Sequence, residues 1–159
     1  MAQRLLKEHR DLQKEAKKSN PDILLSPVDS NLFRWAGSVA GPEGTPYEGG
    51  RFSLEVKVPS SYPLTAPNFR LLTKIFHPNV HPKTGEICID ILKNAWSPAW
   101  TLQSTCRAII ILLSHPEPDS PLNCDAGNLL RQGDHRGFRS VATMYTAIHA
   151  TRKGEASRT

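Results

Sequence analysis

The chain has 159 residues, 38% of them hydrophobic, and 20 Lys and Arg against 15 Asp and Glu leave a net charge of +5. A chain of this length buries roughly 68–70% of its unfolded surface, so a single domain over 1–159 can hold a core without staples. The longest apolar run, AIIILL at 108–113, is far too short to span a bilayer, the N-terminal stretch is charged with no apolar signal core, and the basic residues are spread rather than clustered with aromatics as a nucleic-acid surface would want.

In chain order, residues 2–18 read as a helix with Leu5, Leu6, Leu12 and Ala16 on one face and Lys and Arg on the other. SNPD at 19–22 stops it, because Pro21 cannot continue the ladder. Three strand-like runs follow. LFRWAGSVA puts Phe33, Trp35, Gly37 and Val39 on one side. RFSLEVKV alternates cleanly, with Phe52, Leu54, Val56 and Val58 inward. FRLLTKI resumes the pattern with Phe69, Leu71 and Ile75. GPEGTPYEGG at 41–50 and SYPLTAP at 61–67 are the turns between them.

Residues 76–100 are irregular, with Pro78, Pro82 and Pro98 and a Thr-Gly turn at 84–85; a loop this long in a compact domain is usually functional. The second half is helical. TLQSTCRAIIILLSH is apolar nearly all round and predicts a buried helix on the sheet. DAGNLLRQ is a short helix, and 134–152 is the last one, with Phe138, Val141, Ala142, Tyr145 and Ile148 at helical spacing. The class is α+β: an N-terminal helix, an antiparallel meander, an active-site loop, and C-terminal helices packed on the sheet. Residues 4–150 form the core and 151–159 a flexible tail.

The cysteines are 88, 106 and 124, an odd number without CxxC spacing, which fits a reducing compartment. For Cys106 and Cys124 the expectation is a buried structural thiol. Cys88 lies in HPNVHPKTGEICIDIL, where alternation places Ile87, Ile89 and Ile91 on one face and Cys88 and Asp90 on the other. A zinc site from His77, His81 and Cys88 falls one ligand short of a structural site. A thiol protease needs a histidine base beside the sulfur, and spacing cannot choose among His77, His81, His115, His135 and His149. A plain buried thiol stays open as well.

The order of motifs adds a fourth reading. GPEGTPYEGG, VPSSYPLTAP, HPN at 77–79, GEICIDIL at 85–92, WSPAW at 96–100 and PDSPLN at 118–123 resemble the ubiquitin-conjugating enzymes over about residues 4–150. TGEICIDILKNAWSPAW and DSPLNCDAGNLLRQGD look like the peroxisomal branch of that family, which recycles import receptors. The resemblance implies the ubiquitin-conjugating fold, with a four-stranded meander. It also implies a relay: Cys88 accepts ubiquitin as a thioester from an activating enzyme, then passes it to a substrate with a RING-type ligase. A thiolate is both a strong nucleophile and a good leaving group, so this step needs no histidine base.

By the same resemblance Asn79 is the oxyanion donor or orders the loop. His77 and Pro78 are loop scaffold, and Trp96 packs under the site. Leu64, Ser97, Pro98 and Ala99 meet the ligase; Arg4 and Lys7 meet the activating enzyme. Leu64 stands where phenylalanine is common, which implies a narrower choice of ligases. Three departures stand out. The Asn79-to-Cys88 spacing is one residue longer than usual, through PKTGE, which would move Asn79 relative to the sulfur. His81 replaces a common tyrosine or asparagine. Ser120, beside Asp119 on the acceptor side, replaces the acid that helps an incoming lysine.

The branch implies a peroxisomal import receptor as substrate and a membrane-anchored peroxin that holds the enzyme at the cytosolic face of the peroxisomal membrane, with no direct membrane insertion. No metal and no directly bound cofactor are implied. ATP and nucleotide binding belong to the pathway: ATP is consumed by the activating enzyme, and the chain has no phosphate-binding loop. The competing expectations are a general cytosolic conjugase, a conjugase for another ubiquitin-like modifier, and a non-catalytic module that presents ubiquitin.

Overall fold

The computed structural model describes residues 2–151. Its elements are α1 (Ala2–Ala16), β1 (Ile23–Val28), β2 (Asn31–Ala40), β3 (Arg51–Lys57), β4 (Asn68–Leu71), a 3₁₀ turn (Asp90–Leu92), α2 (Leu102–Ser114), α3 (Cys124–Arg131) and α4 (His135–His149). The expected tail lies almost wholly outside the described residues. The four strands form one antiparallel sheet in the order β1-β2-β3-β4.

The clean alternation in RFSLEVK is what sets this sheet. Phe52, Leu54 and Val56 are buried and face Val39, Gly37 and Trp35 across β2. Leu54 and Val56 in turn pair with Leu71 and Phe69 of β4. A one-residue slip would send this whole set to solvent. Cys106, Ile109 and Leu113 of α2 belong to the same core. Full burial of each such aliphatic side chain stabilises the fold by about 1.5–3 kcal/mol.

The fourth strand, β1, has no run of its own in the sequence reading. Its segment ILLSPV carries Pro27 and no alternation. It is an edge strand, where a proline is tolerated because one side needs no ladder. The register shifts just there, between Pro27 and Val28. Phe33, expected on the same side as Trp35 and Val39, which are buried, lies near that irregular end and is 41% exposed.

The helices correct three further expectations. α1 ends at Ala16, and its buried face is Leu5, Glu8, Leu12 and Glu15; Leu6 and Ala16 are exposed. Two carboxylates replace two apolar residues because each finds partners. Glu15 pairs with Lys18 at 2.7 Å and with Arg107 at 3.4 Å. Glu8 accepts from Tyr62 Oη and from Leu102 N–H, both at 2.7 Å. α2 is not buried all round: Ile111 is exposed, because the sheet covers only one side of the helix. α4 stops at His149, and Thr146 takes the buried place expected of Ile148, its hydroxyl bonded to Ala142 O at 2.9 Å. No helix among the described residues is long and apolar enough to cross a membrane.

Candidate active site

The long irregular stretch between β4 and α2 holds only the 3₁₀ turn as regular structure. It is ordered by hydrogen bonds instead of by a ladder. Tyr47, from the turn-rich segment before β3, donates its hydroxyl to Phe76 O at 2.6 Å. His77 is fully buried. Its Nε2 donates to Leu112 O at 3.0 Å, and its Nδ1 accepts the Asn79 N–H at 3.0 Å. Those two bonds require the neutral Nε2–H tautomer. Burial pushes the imidazole down to about 4, so it stays neutral at physiological pH. His77 is therefore scaffold and no base. Pro78 O accepts from Leu122 N–H and Asn123 N–H, joining this loop to the start of α3.

Asn79 is the hub. It is 2% exposed. Its Nδ2 donates to Glu117 O and its Oδ1 accepts from Glu117 N–H, both at 2.8 Å. Its backbone carbonyl accepts from Cys88 N–H at 2.8 Å. One residue thus ties the cysteine to the loop after α2. The amide nitrogen carries two hydrogens, and Glu117 takes one of them. Loop ordering is visible in these bonds; the second hydrogen is what an oxyanion would use.

The extra length in PKTGE is absorbed in a turn. His81 N–H donates to Glu86 O, and Gly85 N–H to His81 O. The His81 Nδ1 accepts from Lys83 and Thr84 N–H at 3.1 Å each. Gly85 has φ +76°, and a Cβ there would lie 1.8 Å from Leu71 O, so only glycine closes this turn. Below it the Val80–Ile87 bridge and the Cys88–Asn79 bond keep the two arms paired. The expected alternation of GEICIDIL runs only to the 3₁₀ turn, which swings Asp90 out to solvent.

Cys88 is half-buried and opens on a groove of about 610 Å³ lined also by Asn79, Asp90, Glu117, Asp119 and Ser120. The structure thus brings Cys88, the Asn79 amide and the expected acceptor-side pair to one groove. Two features lay outside the sequence reading. Glu117 enters through its backbone, which carries no residue-type signal. Lys93 stands at the end of the 3₁₀ turn with its Nζ 4.0 Å from Cys88 Sγ. The acceptor side also carries more charge than Ser120 suggested, because Asp90, Glu117 and Asp119 all line the groove. Among the described residues no group of three or more His, Cys, Asp or Glu is placed to hold a metal ion.

The other cysteines divide. Cys106 is fully buried in α2, and burial pushes its thiol up to about 12. Cys124, expected in the core, is exposed at the first position of α3. Helix α3 buries Ala126 and Gly127, and its first turn starts on the solvent side.

The expected partner surfaces are scaffolded by a second network. Leu64 is 80% exposed, Pro98 and Ala99 are exposed, and Ser97 is half-buried. Trp96 donates its Nε1–H to Pro63 O at 2.9 Å and packs on Tyr62, so it pins the Leu64 loop to the 97–99 loop. Lys7 is exposed on the outer face of α1 and, with Arg4, lines a depression of about 640 Å³. Arg4 is committed inward. It donates to Trp100 O at 2.7 Å, pairs with Glu8 at 3.2 Å, and lies over the Tyr62 ring.

With this geometry in place, comparison with known proteins is decisive for the family. A family model described as ubiquitin-conjugating enzyme matches residues 4–146. The Arabidopsis thaliana protein PEROXIN-4 is 65% identical over 150 residues, covering 94% of this chain and 95% of the relative. The Dictyostelium discoideum ubiquitin-conjugating enzyme E2 pex4 is 57% identical over 150 residues, covering 94% and 99%. Among solved structures, the H. polymorpha ubiquitin-conjugating enzyme Pex4p, in complex with the soluble domain of Pex22p, superposes with a TM-score of 0.89 at 38% identity, covering 94% of this chain and 98% of that one. The chain belongs to the ubiquitin-conjugating enzyme family, on its peroxisomal branch.

Proposed function

We infer that Cys88 is the acyl carrier of the relay and that Asn79 holds the loop in which it reacts. The observation that supports this is the pair of bonds from Asn79: its carbonyl to Cys88 N–H and its side chain to Glu117. The thiolate attacks the ubiquitin thioester on the activating enzyme, and the departing sulfur is the activating enzyme's own. In the second step an acceptor attacks the Cys88 thioester and Cys88 leaves as thiolate. The free Asn79 N–H serves the oxyanion of that step. Leu64, Ser97, Pro98 and Ala99 form the ligase contact, Lys7 the activating-enzyme contact, and Arg4 supports both from behind. A membrane-anchored peroxin holds the enzyme at the cytosolic face of the peroxisomal membrane, in line with the Pex22p complex of the H. polymorpha relative. A peroxisomal import receptor is the substrate.

The acceptor on that substrate is a cysteine at least as readily as a lysine. A free lysine is only about 0.04% neutral at pH 7, whereas a cysteine is about 3% thiolate. Asp119 and Ser120 are the acceptor-side pair, and Ser120 offers no carboxylate to take the proton. Discharge of the charged enzyme onto free cysteine should outpace discharge onto free lysine across pH 7–8; faster discharge to lysine sinks this assignment.

The relay itself is tested by mixing the protein with activating enzyme, ATP and ubiquitin, then running gels with and without reductant. A reductant-sensitive adduct is expected in wild type, Cys106→Ala and Cys124→Ser, and absent in Cys88→Ala. An adduct that survives Cys88→Ala contradicts the assignment.

A further inference from the structure

A glycine inside a helix is, after proline, the least favourable residue there, and α3, only eight residues long, carries one at its fourth position. Backbone freedom is not the reason, because Gly127 is helical and its φ is not among the positive ones. The reason is space. A Cβ at 127 would lie 2.7 Å from Cβ and 2.8 Å from Cγ of Pro121, and 3.5 Å from Pro118 O. Carbon atoms rest at about 3.5–4.0 Å, so the two segments meet through the absent side chain. Between those two prolines stand Asp119 and Ser120, exposed and on the wall of the Cys88 groove. Resting on the relay above and its acceptor-side pair, we infer that Gly127 is a positioning residue for the second step. Its missing side chain lets the Pro118–Pro121 segment seat against α3, and that seat holds Asp119 and Ser120 where an incoming nucleophile meets the Cys88 thioester.

The helix is the fixed side of this contact. Asn123 caps it by accepting from Ala126 N–H at 3.2 Å, Ala126 is fully buried, and α3 packs on α4. The loop is held at its two ends. Glu117 is bonded to Asn79, and the N–H groups of Leu122 and Asn123 both reach Pro78 O. Between those ends the Pro118–Pro121 segment rests on Gly127. A side chain at 127 therefore moves the segment and not the helix, and the movement falls on Asp119 and Ser120. A shift of roughly 1 Å in a positioned group costs up to about a hundredfold in rate.

The two steps of the relay respond differently. In the first, Cys88 attacks an acyl group carried by the activating enzyme, and the acceptor-side pair takes no part. In the second, the acceptor enters past that pair. Position 127 therefore bears on discharge and leaves charging alone. Gly127 does not itself line the groove, and it acts through Pro121.

The test charges the full-length protein with activating enzyme, ATP and ubiquitin, removes ATP, and adds free cysteine. Discharge is followed as decay of the reductant-sensitive band, so only folded, charged molecules are counted. Gly127→Ala should charge within twofold of wild type and discharge at least fivefold more slowly. Pro121→Gly opens the same contact from the loop side with α3 intact, and should slow discharge as well. In the Pro121→Gly background the added Gly127→Ala should cost less than twofold, because the side-chain atoms it would meet are gone. Wild-type discharge in Gly127→Ala overturns the inference, and so does an equal loss from Gly127→Ala in both backgrounds. If Gly127→Ala does not charge, Pro121→Gly decides alone, and wild-type discharge there overturns the inference. Absence of a thioester in the wild-type protein contradicts the relay itself, and the ratio of cysteine to lysine discharge tests the acceptor assignment separately.

Discussion

The sheet with α2 and the loop from β4 to α2 each hold a cysteine, and the two cysteines have opposite fates. Cys106 sits among Ile109, Leu113 and the inner face of the sheet, with no exposure and a thiol pushed up to about 12. Cys88 sits half-buried in a loop whose backbone groups are held by His77, Asn79 and Glu117. The core is stabilised by apolar area, which is non-directional and keeps water out. The loop is stabilised by directed hydrogen bonds, which fix a thiol in place and still leave it wet. On the proposed relay, reactivity is a property of the kind of order around the residue and not of the residue type.

That contrast breaks most visibly in the core. Leu54→Ala, at a fully buried position paired across both β2 and β4, should cost about 2–5 kcal/mol in denaturant unfolding. Its specific activity, per folded molecule, should stay near wild type. A variant that stays stable but loses discharge would show that core and loop are not separable.

Acid comes next. The ordinary imidazole value is 6.5, and burial holds His77 near 4. Between those values the unfolded chain binds a proton that the folded chain refuses. The stability from this neutral, doubly bonded His77 is therefore complete above about pH 6.5 and is lost as pH falls toward 4, on the order of 3 kcal/mol in all. Urea unfolding at pH 7.5 and pH 4.5 should show the drop, and His77→Gln should flatten it. Equal flattening by a mutation at exposed His135 would assign the effect elsewhere.

Asn79→Ala removes both side-chain bonds to Glu117 and leaves two backbone groups unpaired, at about 1–3 kcal/mol. Thioester formation should survive in part while discharge falls further. Asn79→Asp keeps the acceptor for Glu117 N–H and loses the donor. If Asp restores discharge fully, the oxyanion role is lost and loop ordering is the whole function.

The smallest stability change belongs to the ligase surface. Leu64→Ala should shift unfolding by less than about 0.5 kcal/mol, because the side chain is 80% exposed. Ligase-stimulated discharge should nevertheless drop, with the unstimulated rate unchanged.

The same contrast decides what could be read in advance. Period-two alternation in RFSLEVK identified β3, and the order of motifs from GPEGTPYEGG to PDSPLN identified the family and singled out the groove around Cys88 as the candidate site. β1 escaped because ILLSPV neither alternates nor avoids proline, and only its place at the sheet edge makes it a strand. The buried Glu8 escaped because its partners Tyr62 and Leu102 come from distant parts of the chain. Cys124 was expected inside on residue type alone, and the helix phase of α3 put it outside. Asn79 was legible as a residue, but its bonds to Glu117 run through a backbone that any residue could supply. Hydrophobic order repeats along the chain, and hydrogen-bonded order does not.

Alkylation of the native protein with iodoacetamide, read at each cysteine by mass spectrometry before and after charging with ubiquitin, tests the assignment of Cys88 most directly. Charging should protect Cys88 alone; Cys124 should label equally in both states, and Cys106 in neither. Protection of Cys124, or labelling of Cys88 undiminished in the charged protein, would contradict the account.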